Sequence, residues 1–541
     1  MSLSTKHSES APRGRRFERI FWVVLDGMGY EHARRAVETG RFPALARIAQ
    51  EGHLGPAAPP SPVCQTPPAL LALFSGTEPA QNGIWGYRMP DPYRRDLTIS
   101  GFAAQPRDCT MIWDELERRG IPYSLMNVVS RNDPVWSRIS TSLEFGYDGY
   151  RMWSKPGSYR LDGRRGEHSY RGIRFRTVRR GSAVQVLRGS GVRALLEPGQ
   201  AERVELTRGM HVTAQLLGSS LLVLSPLNSA MIMGSMPEGG GESGGTARFS
   251  EREKFLDSSA FRAVRRLNEG RDPGELVPLE AEMTLSSLSM RQKADLMAAA
   301  AGSTRSRLVA GYFPLIDEFN HAYMDMLDSL WPGGRVSEVF LACVSLVDEL
   351  LARLMASAGP DALLVVSSDH GAMPHRSMMH VNELLAEAGL VRRAPVGSIR
   401  GGYDLRRSAA YYHPSDCGQL ILNEAQARQL HMDRAGVLGR LNAIARHAGI
   451  GVQEADSRAP YLAFLYPLGD RYFTGSPPRH GCLALDPRKS GGHHLSPLSP
   501  TPWMSAVLGL WSSGTTPADF CGAPTVNTGL KPYLLELMGI A

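Results

Sequence analysis

Hydrophobic and polar positions along the chain fall into two textures. In the first, short uninterrupted apolar runs stand between polar, glycine-containing stretches: Ile20–Leu25, Pro122–Val129, Leu308–Ile316 and Ala362–Val366. An amphipathic element would alternate, so such runs predict strands buried on both faces, as in a parallel sheet. Helix patterns lie between them. Pro43–Gly52 has proline at an early position and glycine beyond its end, Met111–Gly120 follows, and Arg335–Gly359 is a long amphipathic segment. Val381–Ala388 and Arg434–His447 also predict helices, with a strand at Gln419–Leu422 between them. This alternation of strand and helix predicts an α/β fold built on a doubly wound, mostly parallel sheet.

The second texture alternates. Ile173/Phe175, Val184/Val186, Val204/Leu206, Val212/Ala214/Leu216 and Leu221/Val223 are separated by polar residues and bounded by turn signals, the pattern of half-buried antiparallel strands. The glycine-rich Pro237–Gly245 predicts a flexible loop, and Met290–Ala301 returns to helix. The resulting organisation is a polar tail over 1–18, a catalytic domain in two parts over 19–147 and 306–541, and an inserted β-rich cap over 148–305.

Composition narrows the function classes. With 43% hydrophobic and 21% charged residues in 541, the chain reads as globular. The net charge of +7 comes from scattered arginines and not from a basic stripe, which favours a small anionic partner over nucleic acid. The six cysteines, Cys64, Cys109, Cys343, Cys417, Cys482 and Cys521, lie far apart without a C-x-x-C pair. A zinc finger and a compact disulfide framework are thereby excluded, and a reduced, cytoplasmic setting is expected. The residues from Met1 to Glu18 are polar and basic with no apolar core behind them, and no apolar run reaches membrane-spanning length, so neither secretion nor a membrane is expected.

The apolar runs end in chemistry. Ile20–Leu25 runs into Asp26-Gly27, Leu308–Ile316 into Asp317 and His321, and Ala362–Val366 into Asp369-His370-Gly371. Functional groups in open α/β sheets collect at strand carboxyl ends, where neighbouring parallel strands would bring these acids to one rim. Asp317 and His321, four residues apart, share one face if their segment is helical, which suits two ligands of one metal. Thr66, followed by Pro67 and Pro68, opens a helix. It reads either as that helix's cap or as a nucleophile where the helix dipole favours an anionic phosphoryl group. The loop Lys489–Pro497 adds His493 and His494. Together these residues supply enough oxygen and nitrogen donors for two divalent ions roughly 4 Å apart, an arrangement that activates a nucleophile and holds the charge of an in-line displacement at phosphorus.

The order of these motifs resembles the alkaline phosphatase superfamily, in its type I phosphodiesterase/nucleotide pyrophosphatase branch. The residues that carry the resemblance are Asp26-Gly27, Thr66-Pro67-Pro68, Asp317 to His321, Ser368 to Gly371 and Gly491-Gly492-His493, and the closing Ala523 to Ile540 is similar to the family's last segment. The resemblance implies one ion held by Asp26, Asp369 and His370 with Thr66 as its nucleophilic ligand, and a second held by Asp317, His321 and His493. The ions would be Zn2+, with Mn2+ or Mg2+ as alternatives. The chain departs from the pattern at two points. Tyr87, at the end of Asn82-Gly83-Ile84-Trp85-Gly86-Tyr87, stands where many members have an asparagine donor to phosphate, so Asn82 and Tyr87 are the candidates for that contact. His494 stands where glycine is usual, which leaves the ligand as His493 or His494.

The implied activity is hydrolysis of a phosphodiester or nucleotide pyrophosphate through a phosphothreonine at Thr66. The alternatives are a phosphomonoesterase or phosphotransferase of the same superfamily, or an anion-binding relic without catalysis. A sulfatase would need proline and arginine in a C/S-x-P-x-R context, which Cys64-Gln65-Thr66-Pro67-Pro68 lacks. A phosphoglycerate mutase would need a serine nucleophile.

Overall fold

The computed structural model describes residues 16–540 apart from 87, 91–97, 102–108, 127–156, 234–289, 395–401, 413–418, 475–482, 485–490, 493–501 and a few shorter stretches. Its centre is a seven-stranded sheet of β1 (Arg19–Leu25), β2 (His53–Ala57), β3 (Tyr123–Met126), β4 (Met231–Met233), β5 (Leu308–Phe313), β6 (Ala362–Ser367) and β7 (Ala506–Trp511). The spatial order is β4-β3-β5-β1-β6-β7-β2. The four inner strands β3, β5, β1 and β6 run parallel. Antiparallel pairing adds β4 at one side and β7, then β2, at the other. The mixed sheet and its antiparallel insertions are consistent with an alkaline phosphatase-like fold.

The apolar runs of the inner strands follow from burial on both faces. Along β1, Phe21, Val23 and Leu25 enter one core with the helices Pro43–Glu51, Leu315–Leu330 and Gly334–Ser357. Ile20, Trp22 and Val24 enter the opposite core with the helices Thr66–Ser75, Ile112–Arg118 and Leu530–Leu537. Every second residue thus serves a different layer, which is why the run is apolar throughout. Phe17, within the segment read as a polar tail, is buried, its N–H donating to the Leu537 carbonyl at 2.8 Å.

Two antiparallel units interrupt this frame. In the first, Arg165–Tyr170, Ile173–Arg180, Ala183–Arg188 and Gly191–Leu196 form one sheet. Gly157–Arg160, Ala201–Thr207, Met210–Leu217 and Leu221–Pro226 form another. Phe175, Val184, Val186, Val204, Ala214 and Leu216 pack into one core between them, which makes this β-rich insertion a sandwich. The chain then returns to the central sheet at β4, and Met290, Ala294, Met297, Ala300 and Ala301 join the core beneath β1. The described strands of this insertion run from Gly157 to Pro226, within the expected 148–305.

The second unit lies between β6 and β7, where the apolar pattern predicts one uninterrupted catalytic segment. The strands Ala410–Tyr412, Gln419–Leu422, Leu462–Pro467 and Ile450–Glu454 form a separate sheet. Together with the helices Val381–Glu387, Glu424–Gln429 and Arg434–Ala448 they enclose a core around Leu385, Tyr412, Leu441 and Phe464. Among the described residues no helix is long and apolar enough to cross a membrane.

One bond ties the central strands together from within a core. The indole N–H of Trp22 on β1 donates to Ser367 Oγ at the end of β6, 2.8 Å away and fully buried. Ser367→Ala would leave that N–H without an acceptor, at a cost of about 1–3 kcal/mol. Urea unfolding of parent and variant measures it, and equal stabilities would show that the indole finds another partner.

Candidate metal centre and nucleophile

The parallel register sets the site. Leu25 pairs with Phe313, and Val24 with both Tyr312 and Ser367, so β5, β1 and β6 end at one level. The Asp26 N–H still donates to the Phe313 carbonyl at 3.0 Å. Beyond that level the chain must turn sharply. Gly27 does so with φ +68°, and a Cβ there would lie 2.8 Å from the Asp317 Cα, so glycine supplies both the left-handed conformation and the room for the next helix. Asn320, in that helix, donates from Nδ2 to the Gly27 carbonyl at 2.9 Å. Asp317 and His321 do share one face of the helix Leu315–Leu330, with His321 Nε2 at 3.3 Å from Asp317 Oδ2.

At the end of β6, Asp369 and His370 are completely buried. Asp369 Oδ1 accepts the N–H groups of His370 at 3.0 Å and Gly27 at 3.2 Å. The main chain beyond is pinned by a close crossing. Gly371 N–H donates to Met504 O at 3.2 Å, and a Cβ on Gly371 would come within 1.8 Å of Trp503 O. From the far end of the chain, Asn527 Nδ2 donates to the Asp369 carbonyl at 2.7 Å and the Ser368 carbonyl at 3.3 Å.

The imidazole is fixed in orientation. His370 Nδ1 lies 2.8 Å from the Gly371 carbonyl, which can only accept, so Nδ1 donates there and Nε2 is the nitrogen left to face the site. Around Nε2 stand Thr66 Oγ1 at 3.2 Å, Asp369 Oδ2 at 3.2 Å and Asp26 Oδ1 at 3.4 Å. One donor atom each from Asp26, Asp317 and His370 lies within 4.8 Å of the others.

Thr66 is not the helix cap. Gln65 occupies that position, and Thr66 is the first residue of the helix Thr66–Ser75, all ten residues of which are buried. Its hydroxyl faces Nε2 of His370 and not a backbone N–H of its own helix. Of the two sequence readings the structure leaves the hydroxyl available for chemistry.

The charges in this cluster are unbalanced. Burial, then the carboxylates of Asp369 and Asp317, push Asp26 well above the ordinary carboxyl range. Burial also raises Asp369, with Asp317 adding to it against the opposing pull of His370. No Lys or Arg forms an ion pair with Asp26 or Asp369 among the described residues. Asp26 Oδ1 and Asp369 Oδ2 are buried and accept no hydrogen bond among the described residues. Buried anionic oxygens without partners are costly, and these aim where a divalent cation would meet two carboxylates, an imidazole nitrogen and a hydroxyl. That donor set fits Zn2+ and also harder cations.

His493, His494 and Tyr87 lie outside the described residues. Gly491 and Gly492, which are described, pair with Pro374 and Met373, just beyond His370. Asn82 is buried and occupied within its own loop, donating to Thr77 O and Oγ1 at 3.1 Å and accepting from Ile84 N–H at 2.9 Å. Sequence reasoning passes over Tyr312, Asn320 and Asn527. Asn320 lies inside the Asp317–His321 motif and could have been singled out there. Asn527 meets Asp369 across 158 residues with no local signal.

Among the curated proteins no relative matches. Two solved structures align over almost the whole chain. Phosphonoacetate hydrolase from Sinorhizobium meliloti 1021, in complex with phosphonoformate, is 15% identical over 98% of each chain with a TM-score of 0.48. Murine ectonucleotide pyrophosphatase/phosphodiesterase 5 is 12% identical over 97% of this chain and 95% of that one, with a TM-score of 0.47. The family model for type I phosphodiesterase/nucleotide pyrophosphatase matches residues 21–189 and 228–463, segments that contain Asp26, Thr66, Asp317, His321, Asp369 and His370. Matched over well more than half its length, with these side chains at one rim, the chain belongs to the type I phosphodiesterase/nucleotide pyrophosphatase family.

Proposed function

We propose that the protein hydrolyses phosphodiesters or nucleotide pyrophosphates with Thr66 as nucleophile and two divalent cations at the rim. The observation that carries this reading is the convergence of Thr66 Oγ1, Asp369 Oδ2 and Asp26 Oδ1 within 3.2–3.4 Å of one imidazole nitrogen. Asp26, Asp369 and His370 would hold one cation beside Thr66; Asp317 and His321, with His493 or His494, would hold the other. Bound there, divalent cations make the Thr66 hydroxyl more acidic and offset charge that builds on the phosphoryl oxygens.

The residues of the chain supply position. Thr66 is β-branched and buried at the start of a rigid helix, so its hydroxyl loses little freedom on reaction. The N-terminal end of that helix favours the phosphoryl anion, although Pro67 and Pro68 contribute no N–H donors. Thr66 Oγ1 attacks phosphorus as its proton passes to solvent, the bond from phosphorus to the leaving oxygen breaks, and the leaving group departs with a proton from solvent. The group on Thr66 is then released by water, whose oxygen forms the new bond to phosphorus while the Thr66 oxygen takes back a proton.

Two sets of variants test the reading. Thr66→Ala should lower turnover of a phosphodiester by at least about 1,000-fold. Its stability should change by only about 1 kcal/mol, because no cap is lost. Thr66→Ser should keep measurable turnover, since the oxygen is retained. Turnover of Thr66→Ala within tenfold of the parent would mean that Thr66 is not the nucleophile.

Asp317→Ala and His321→Ala should each lower equilibrium Zn2+ content together with activity. Dialysis against Zn2+ followed by elemental analysis measures this. Unchanged content in both variants would remove the helix Leu315–Leu330 from the site.

A further inference from the structure

Tyr312 sits on β5 beside Val24 of β1, with its ring in the core under the Thr66 helix. A phenylalanine would fill that space equally well. Its hydroxyl, however, reaches the rim and donates to Asp26 Oδ2. The two oxygens of Asp26 therefore have different fates: Oδ2 is held from the core side, and Oδ1 is left facing His370 Nε2 at 3.4 Å without a hydrogen bond. Asp369 shows the same division, because Gly27 and His370 N–H groups occupy its Oδ1 and leave Oδ2 at 3.2 Å from Nε2.

We infer that Tyr312 is a positioning residue for the cation site, locking Asp26 so that one oxygen alone is offered to a divalent ion. The inference rests on the metal-site reading proposed above and adds the residue that sets how Asp26 can bind. A carboxylate with both oxygens available can rotate and chelate through both, which suits large cations that accept many oxygens. A carboxylate with one oxygen engaged offers a single donor, which suits a small, four-coordinate ion such as Zn2+. Hydrogen-bond partners of this kind orient the ligand and tune affinity without touching the metal.

The test uses the full-length protein, Tyr312→Phe, Asp26→Ala and the double variant. Zn2+ affinity is measured by competition with a chromophoric chelator, and the visible spectrum of the Co2+ form reports coordination. Tyr312→Phe is expected to weaken Zn2+ binding about 10–100-fold and to shift the Co2+ spectrum towards weaker, higher-coordinate absorption. In the Asp26→Ala background the same substitution should change the Zn2+ affinity by less than about twofold, since coupled residues are non-additive.

If Tyr312→Phe lowers the thermal midpoint but leaves Zn2+ affinity and the Co2+ spectrum as in the parent, Tyr312 only packs and the inference is overturned, while the metal-site reading stands. An equal loss of affinity in both backgrounds also overturns it. A parent protein that binds neither Zn2+ nor Co2+ overturns the metal-site reading and this inference together.

Discussion

Like charges buried side by side are the constraint on which the rest of the structure depends. Asp26 and Asp369 share one rim with Asp317, all three buried, and burial first, with the neighbouring carboxylates, makes each of the first two resist ionisation. Such a cluster persists only if the scaffold over-determines it. Here the ends of three parallel strands are locked level, the Asp317 helix rests on a glycine that no larger residue can replace without moving it, and the Asp369 segment is held by Asn527. The energy of folding is spent on keeping these oxygens together, and a bound cation would return it as binding affinity.

Trp503 shows how distant parts of the chain meet this demand. Its carbonyl accepts the Ala372 N–H two residues after His370, at 3.0 Å, and its indole N–H donates to Asp328 Oδ1 at 3.1 Å, in the helix that carries Asp317 and His321. The guanidinium of Arg35 lies 4.2 Å over the ring, and the buried His32 packs against it at 4.9 Å. One residue thereby couples the Asp369–His370 and Asp317–His321 segments to the helix Tyr30–Glu38, a cation–π contact helping to hold it.

Much of this was legible in the sequence because parallel strands buried on two faces show unbroken apolar runs, and an acid at the end of such a run stands out. Ile20–Leu25 and Ala362–Val366 therefore disclosed both the strands and the positions of Asp26 and Asp369. The i, i+4 spacing of Asp317 and His321 disclosed their shared face. The outer strands were opaque for a physical reason. His53-Leu54-Gly55-Pro56-Ala57 contains two residues that weaken strands, and it is tolerated because β2 pairs on one side only, with β7.

The unit between β6 and β7 was opaque too, since its helices and strands carry the same local patterns as the central domain, and only long-range pairing separates them. Thr66 was ambiguous because cap and nucleophile share the same residue type at a helix start. The position of Gln65 removes the cap reading, and the Thr66 hydroxyl faces His370 Nε2. Tyr312 was hidden for the opposite reason: an aromatic in an apolar run reads as core, and its ring is core, while its hydroxyl belongs to the site.

The central claim is that Thr66 itself attacks phosphorus, and acid quenching of the working enzyme tests it most directly. The protein is mixed with a phosphodiester radiolabelled at phosphorus, stopped in acid during turnover, digested and mapped by mass spectrometry. The expected result is label on the peptide containing Thr66, attached through its hydroxyl and absent from Thr66→Ala. Steady turnover with no label on that peptide, or label on another residue, would contradict it.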